Sequence, residues 1–293
     1  MESSNQGAWK RVLKCGISLG VFAASTTWRF FSRLLGSTPR ANCVILYYHS
    51  VPAEQRTKFA EQLDVILQCA RPVALNAQTA FVPGEHCVAI TFDDAFQNFA
   101  DEALPELEKR RLPSTVFVIA EALNKAFGPA GSTEQVMSLE QLRALPRELV
   151  TLGSHTLTHP MLTRVAEQDA RREIALSKAT LEAMLDSQIV LFSFPFGDFN
   201  ERLVELCQEA GYQHVVTTLP TFANFNEFVL GRVRVDPTDW PLEFRLKLAG
   251  AYRWLPLAFD LKSRVYRLVR AVLRARRQNL EAPKSVIHES SGR

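Results

Sequence analysis

The stretch Val88-Ala89-Ile90-Thr91-Phe92-Asp93-Asp94 runs an apolar, β-prone segment straight into two adjacent carboxylates. Neighbouring carboxylates repel, so such a pair persists only where solvent, a cation or a shared proton relieves it. A helix N-cap followed by a first-turn acid accounts for one of the two aspartates more easily than for both. Further on, His155 and His159 stand four residues apart after Val150-Thr151-Leu152-Gly153-Ser154. That spacing turns two imidazoles the same way on a helix and still allows them to converge in a turn. One carboxylate with two imidazoles makes an N,N,O set for a divalent ion, leaving positions open for water and substrate. If the aspartate side chains diverge, the second carboxylate is free to accept a proton, and the layout is that of a hydrolase.

Each of these groups follows a run that reads as a buried strand. Continuous apolar runs of four to eight residues are the pattern of parallel strands covered on both faces. They are expected at 43–48, ending in His49, and at 88–92, 115–120 and 150–154. Further runs fall at 189–194, ending in Pro195-Phe196-Gly197-Asp198, and at 214–218 and 228–235. Helical patterns lie between them, including a long charged helix over 166–185 expected only to pack. About seven alternations of this kind predict a mostly parallel sheet with helices around it, doubly wound or closed as a barrel. In a barrel, residues after strand C-termini collect on one face. His49, Asp93, Asp94, His155, His159 and the Pro195 loop would then converge, although a lone histidine at a strand end is more commonly a hydrogen-bonded structural group.

The composition restricts the setting. The chain of 293 residues is 47% apolar and carries a net charge of +3, distributed unevenly. Residues 1–40 hold +5 and residues 262–277 hold +7, which leaves −9 on the body. An acidic body argues against a nucleic-acid partner, and basic ends suit anionic lipid better. Five cysteines without CxxC or zinc spacing argue against a disulfide framework and favour a reducing compartment.

Residues 9–35 have an uncharged span of 14 residues, Cys15 to Trp28, too short for a helix that needs ~20 apolar residues to cross a bilayer. The segment suits an uncleaved interfacial helix, or alternatively the h-region of a signal sequence. Near the other end, Val265, Leu268, Val269, Val272 and Leu273 form an apolar stripe among arginines, either a second membrane-surface helix or one packed on the barrel.

Taken together, Thr91-Phe92-Asp93-Asp94, His155-Thr156-Leu157-Thr158-His159 and Phe194-Pro195-Phe196-Gly197 resemble the motifs of the polysaccharide deacetylase (NodB-like) family of carbohydrate esterases. The resemblance runs from about Tyr47 to Gly250 and implies an irregular (β/α)-barrel of about seven parallel strands. It implies removal of an acetyl group from an N-acetylated sugar, with Asp93 as general base and Asp94, His155 and His159 holding zinc or another divalent ion. Pro195 and Phe196 fall where the family's oxyanion-binding backbone lies. Tyr48-His49-Ser50-Val51 is similar to the opening of the branch that includes poly-N-acetylglucosamine deacetylases, which implies His49 as general acid; no Leu-x-His segment near the C-terminal end offers another.

There are departures. Ala95 stands where the family carries Gly; a Cβ there is strained if φ is positive and harmless if a helix begins. Ser193 stands where many members carry an arginine that orients the base, and reads as a mark of the branch. Asp236-Pro237-Thr238-Asp239-Trp240 resembles a family element whose aspartates read as structural or helix-capping.

The organisation expected is a membrane-proximal or signal-like segment over 1–40, a deacetylase domain over 41–251, a basic amphipathic extension over 252–277 and a disordered tail over 278–293. The function expected is metal-dependent deacetylation of a polysaccharide or lipid-linked glycan, at the cytoplasmic face of a membrane or, alternatively, exported or anchored by the N-terminal segment. Its alternatives are an esterase or amidase on a smaller substrate and a non-catalytic glycan-binding member of the fold.

Overall fold

The computed structural model describes residues 2–38, 41–75, 82–129 and 133–258. The first strand, β1 (Asn42–Tyr48), is buried along its whole length, as its unbroken apolar sequence requires. Helix α1 (Glu2–Leu34) precedes it and α2 (Arg56–Cys69) follows. Then come the short β2 (Arg71–Pro72), β3 (His86–Phe92), α3 (Leu104–Arg110) and β4 (Ser114–Val118). A two-stranded hairpin, β5 (Ala126–Phe127) with β6 (Glu134–Gln135), leads to α4 (Leu139–Ala144), which opens on a capping box made by Ser138 and Gln141. The chain continues through β7 (Val150–Ser154), α5 (Glu167–Leu185), β8 (Leu191–Ser193), α6 (Glu201–Glu209), β9 (His214–Thr217), β10 (Val229–Gly231), β11 (Val233–Arg234) and α7 (Pro241–Leu248).

The main sheet runs β10-β9-β8-β7-β4-β3-β1-β11, with β2 paired beside β3, and every pairing in it is parallel. Its two ends belong to one stretch of chain. Val229–Gly231 pairs with β9 and Val233–Arg234 pairs with β1, so only Arg232 separates the first edge from the last. The sheet thereby becomes a nearly closed barrel of seven strand positions. The single strand expected over 228–235 is instead broken at Arg232, because one strand serves two neighbours that diverge there.

Register aligns the strand ends. Tyr48 lies level with Phe92, which sets His49 and Asp93 at equal height. Val118 is level with Ser154, and Ser154 with Phe192, so His155 and Ser193 emerge on the same face. Cys43, Ile45, Val73, Cys87, Ala89, Phe117, Leu191, Val216 and Leu230 pack into one buried apolar cluster. Gly153 in β7 is needed for that packing, since a Cβ there would stand 2.6 Å from the Phe117 ring. All five cysteines are free thiols, four of them buried.

The chain divides into two compact units, residues 1–253 and 254–293. Of the second, residues 254–258 are described and begin a helical turn. The basic stripe from Val265 to Leu273 and the tail expected from 278 onward lie outside the described residues.

Candidate active site

Asp93 continues the β3 ladder by donating its backbone N–H to the Tyr48 carbonyl at 2.9 Å, and its carboxylate turns into the barrel mouth, 3% exposed. There it meets Arg232. The guanidinium binds it with both prongs, Nη1 to Oδ1 at 2.8 Å and Nη2 to Oδ2 at 2.9 Å. Such a planar bidentate pair is the strongest form of carboxylate recognition a side chain offers. Arg232 is itself fully buried and donates also to the hydroxyls of Thr91 at 3.1 Å and Ser193 at 2.8 Å. Burial alone would raise the Asp93 pKa, but the Arg232 charge and hydrogen bonds outweigh it and hold the carboxyl well below the usual carboxylate range.

Asp94 points elsewhere. Its Oδ1 is buried, accepts no hydrogen bond among the described residues, and lies 3.6 Å from both His155 Nε2 and His159 Nε2. Burial, then the Asp93 charge and Glu134, push its pKa up to about 8. The two adjacent carboxylates are thus driven in opposite directions, the pattern that separates roles within one site.

The histidines come from the turn after β7. His155 continues the ladder to Val118, and its Nδ1–H donates to the Ser193 carbonyl at 2.7 Å, which leaves the Nε2 lone pair facing Asp94. His159 Nε2 stands 3.2 Å from His155 Nε2, its ring flanked by Phe196 and Phe127. The turn is held by Glu173 of α5, whose carboxylate accepts from Leu157 N, Thr158 N and Thr158 Oγ1 at 2.7–3.0 Å. Helix α5 therefore does more than pack. Burial pushes His155 down to about 4 and His159 down to about 3, so both are neutral near pH 7.

Among the described residues, Asp94, His155 and His159 form a cluster able to hold a metal ion. The three atoms make a triangle with sides of 3.2, 3.6 and 3.6 Å. Ligands each about 2.0–2.2 Å from one small divalent ion stand about this far apart. Two neutral imidazoles and an orphaned buried carboxylate oxygen fit such an ion chemically as well as geometrically.

Against known sequences, residues 82–215 match the family model described as polysaccharide deacetylase. This stretch of the barrel is thus similar to a polysaccharide deacetylase domain. The chain is similar to Bacillus subtilis YxkH, a protein named for this family, at 31% identity over 157 residues. That alignment covers 53% of each chain, so this chain spans about half the length of that relative. The structure of IcaB from Ammonifex degensii superposes with a TM-score of 0.62 at 26% identity, over 71% of this chain and 99% of that one. The Streptococcus pyogenes deacetylase PplD, solved in complex with acetate, shares the fold with a TM-score of 0.57 at 21% identity, over 72% and 97%.

The backbone and the ion pairs decide the departures noted in the sequence. Ala95 has φ 54, so it is the left-handed position that Gly would occupy without strain. Asp94, Thr156, His159 and Phe196 also have positive φ, which concentrates backbone strain in the site loops. Ser193 does not leave Asp93 without an arginine partner, because Arg232 reaches it from the seam where the two sheet edges meet. No local motif marks Arg232, and only the closure of the barrel brings it to Asp93.

His49 makes no hydrogen bond through its ring among the described residues and packs on Tyr47; burial lowers its pKa while the Asp93 charge raises it. Pro195 is buried and Phe196 is exposed, in a short 3-10 turn. The Phe196 N–H meets no protein acceptor among the described residues. Asp236 and Asp239 are structural rather than capping: the α7 N-cap is Trp240, while Asp239 pairs with the Lys247 ammonium at 2.7 Å.

Proposed function

We propose that this chain is a metal-dependent deacetylase that removes acetyl groups from an N-acetylated sugar within a polysaccharide or lipid-linked glycan. The observation that carries this reading is the triangle of Asp94, His155 and His159 beside a second carboxylate clamped separately by Arg232. Zinc or another divalent ion held by those three residues supplies Lewis acidity toward an acyl carbonyl and a water.

The chain's own residues do the rest. Arg232 keeps Asp93 ionised and aimed, so that Asp93 takes a proton from the water whose oxygen adds to the acetyl carbon. The Phe196 N–H faces the oxygen on which charge develops. The C–N bond then breaks, acetate leaves, and His49 delivers a proton to the departing amine; burial disfavours the charged ring and the Asp93 carboxylate favours it.

The test is acetate release from N-acetylated sugar oligomers, with O-acetylated esters alongside, and elemental analysis of each variant. Asp93→Asn should retain the ion and lose turnover by at least about a hundredfold. His155→Ala and His159→Ala should lose both. A native protein that takes up no divalent ion from excess zinc, or an Asp93→Asn variant as active as the native chain, would refute the assignment.

A further inference from the structure

Helix α1 is docked by the wrong face for an ordinary surface helix. The residues turned toward the domain recur every three or four positions and are Arg11, Cys15, Ser18, Val21, Ser25 and Arg29. Their contacts are largely polar. Arg11 pairs with Glu243, lies 3.6 Å from Asp239, donates to the Thr238 carbonyl at 3.1 Å and stacks over the Trp240 ring. Cys15 Sγ meets the Tyr252 hydroxyl at 3.5 Å, and Ser25 accepts from Arg253. The bulky apolar residues point the other way: Trp9, Leu13, Ile17, Trp28, Phe31 and Leu34 are 40–75% exposed. A helix covering a core shows the reverse arrangement, and an exposed apolar surface of this extent marks something that binds it.

We infer that α1 is an in-plane membrane anchor whose outward face sinks into the headgroup region of an anionic bilayer while its polar face carries the barrel. Charge selects the occupant. Lys10, Lys14 and Arg33 are exposed along the helix, and no acid falls between Ser3 and Leu35. Anionic headgroups complement these charges, whereas a second copy would bring the same charges against them. Trp9 and Trp28, toward either end, are the side chains that settle at a membrane–water boundary. No described helix is long and apolar enough to cross a membrane, so α1 lies along the surface for its length of about 50 Å.

The test is flotation of the full chain with vesicles of phosphatidylcholine alone and with phosphatidylglycerol added. The chain should float with the anionic vesicles and detach as salt is raised. A double variant Trp28→Asp/Phe31→Asp should partition at least about tenfold more weakly with an unchanged melting temperature, and Lys10→Gln/Lys14→Gln should remove the preference for phosphatidylglycerol. The inference is overturned if the native chain stays with the soluble fraction, or if the aspartate variant floats equally well. It also fails if that variant lowers the melting temperature, which would mean that the chain itself covers the face. Light scattering that shows a native dimer dissociated by the variant would assign the face to a second copy instead.

Discussion

Arg232 and Asp94 set the electrostatics of the site from opposite sides. Replacing Arg232 by Met would leave the Asp93 charge buried and unpaired, a loss of about 3–5 kcal/mol of stability. Denaturant melts of Arg232→Met and of Arg232→Met/Asp93→Asn would measure it, and the double variant should recover part of the loss without recovering activity. On the proposed reading, Asp94 governs ion binding through protons. Its folded pKa of about 8 lies above the ordinary value of 3.8, so without metal it is protonated up to that pH and binding must displace one proton. His155 and His159, at about 4 and 3, have already lost theirs. Zinc affinity, measured by chelator competition, should therefore rise about tenfold per pH unit from pH 6.5 to 8 and then level off. Asp93, Asp94 and His155 were legible in the sequence because they end apolar runs, and His159 by its spacing from His155. Arg232 was not, since its partner lies 139 positions away and no nearby residue announces the pairing.

The turns that present these residues carry the strain. Ala95, fully buried at φ 54, is the clearest case. A left-handed backbone costs a non-glycine residue roughly 1–2 kcal/mol. Against this, Ala95→Gly forfeits a buried methyl, about 0.8 kcal/mol, and frees the unfolded chain by about 0.4–1 kcal/mol. The terms nearly cancel, so the variant should melt within a few degrees of the native protein and release acetate at the native rate. The seven main strands were readable from their apolar runs to within a residue or two at either end, whereas the short β5–β6 hairpin was not. What escaped was how they meet: the split of 229–234 between two neighbours follows from barrel closure, and the grip of Glu173 on the histidine turn joins α5 to a loop that its sequence pattern does not mention.

At the scale of the whole molecule, the N-terminal helix was legible as a helix with a basic, apolar character, but the face it would turn inward depends on Asp239 and Glu243, more than two hundred residues away. Arg11→Met should leave those two carboxylates to Lys247 alone and loosen α1, which limited trypsin digestion would register as faster cleavage at Lys10 and Lys14 while acetate release stays unchanged. The seam at Arg232 has a different consequence, for synthesis. Strands β1 and β9 each wait for a neighbour that the ribosome supplies only with residues 229–234. Until that stretch emerges, the nascent chain carries two unsatisfied parallel edges, the kind of surface on which strands of separate chains pair. The same few residues that bring Arg232 to Asp93 also cover the last two open strand edges of the growing polypeptide.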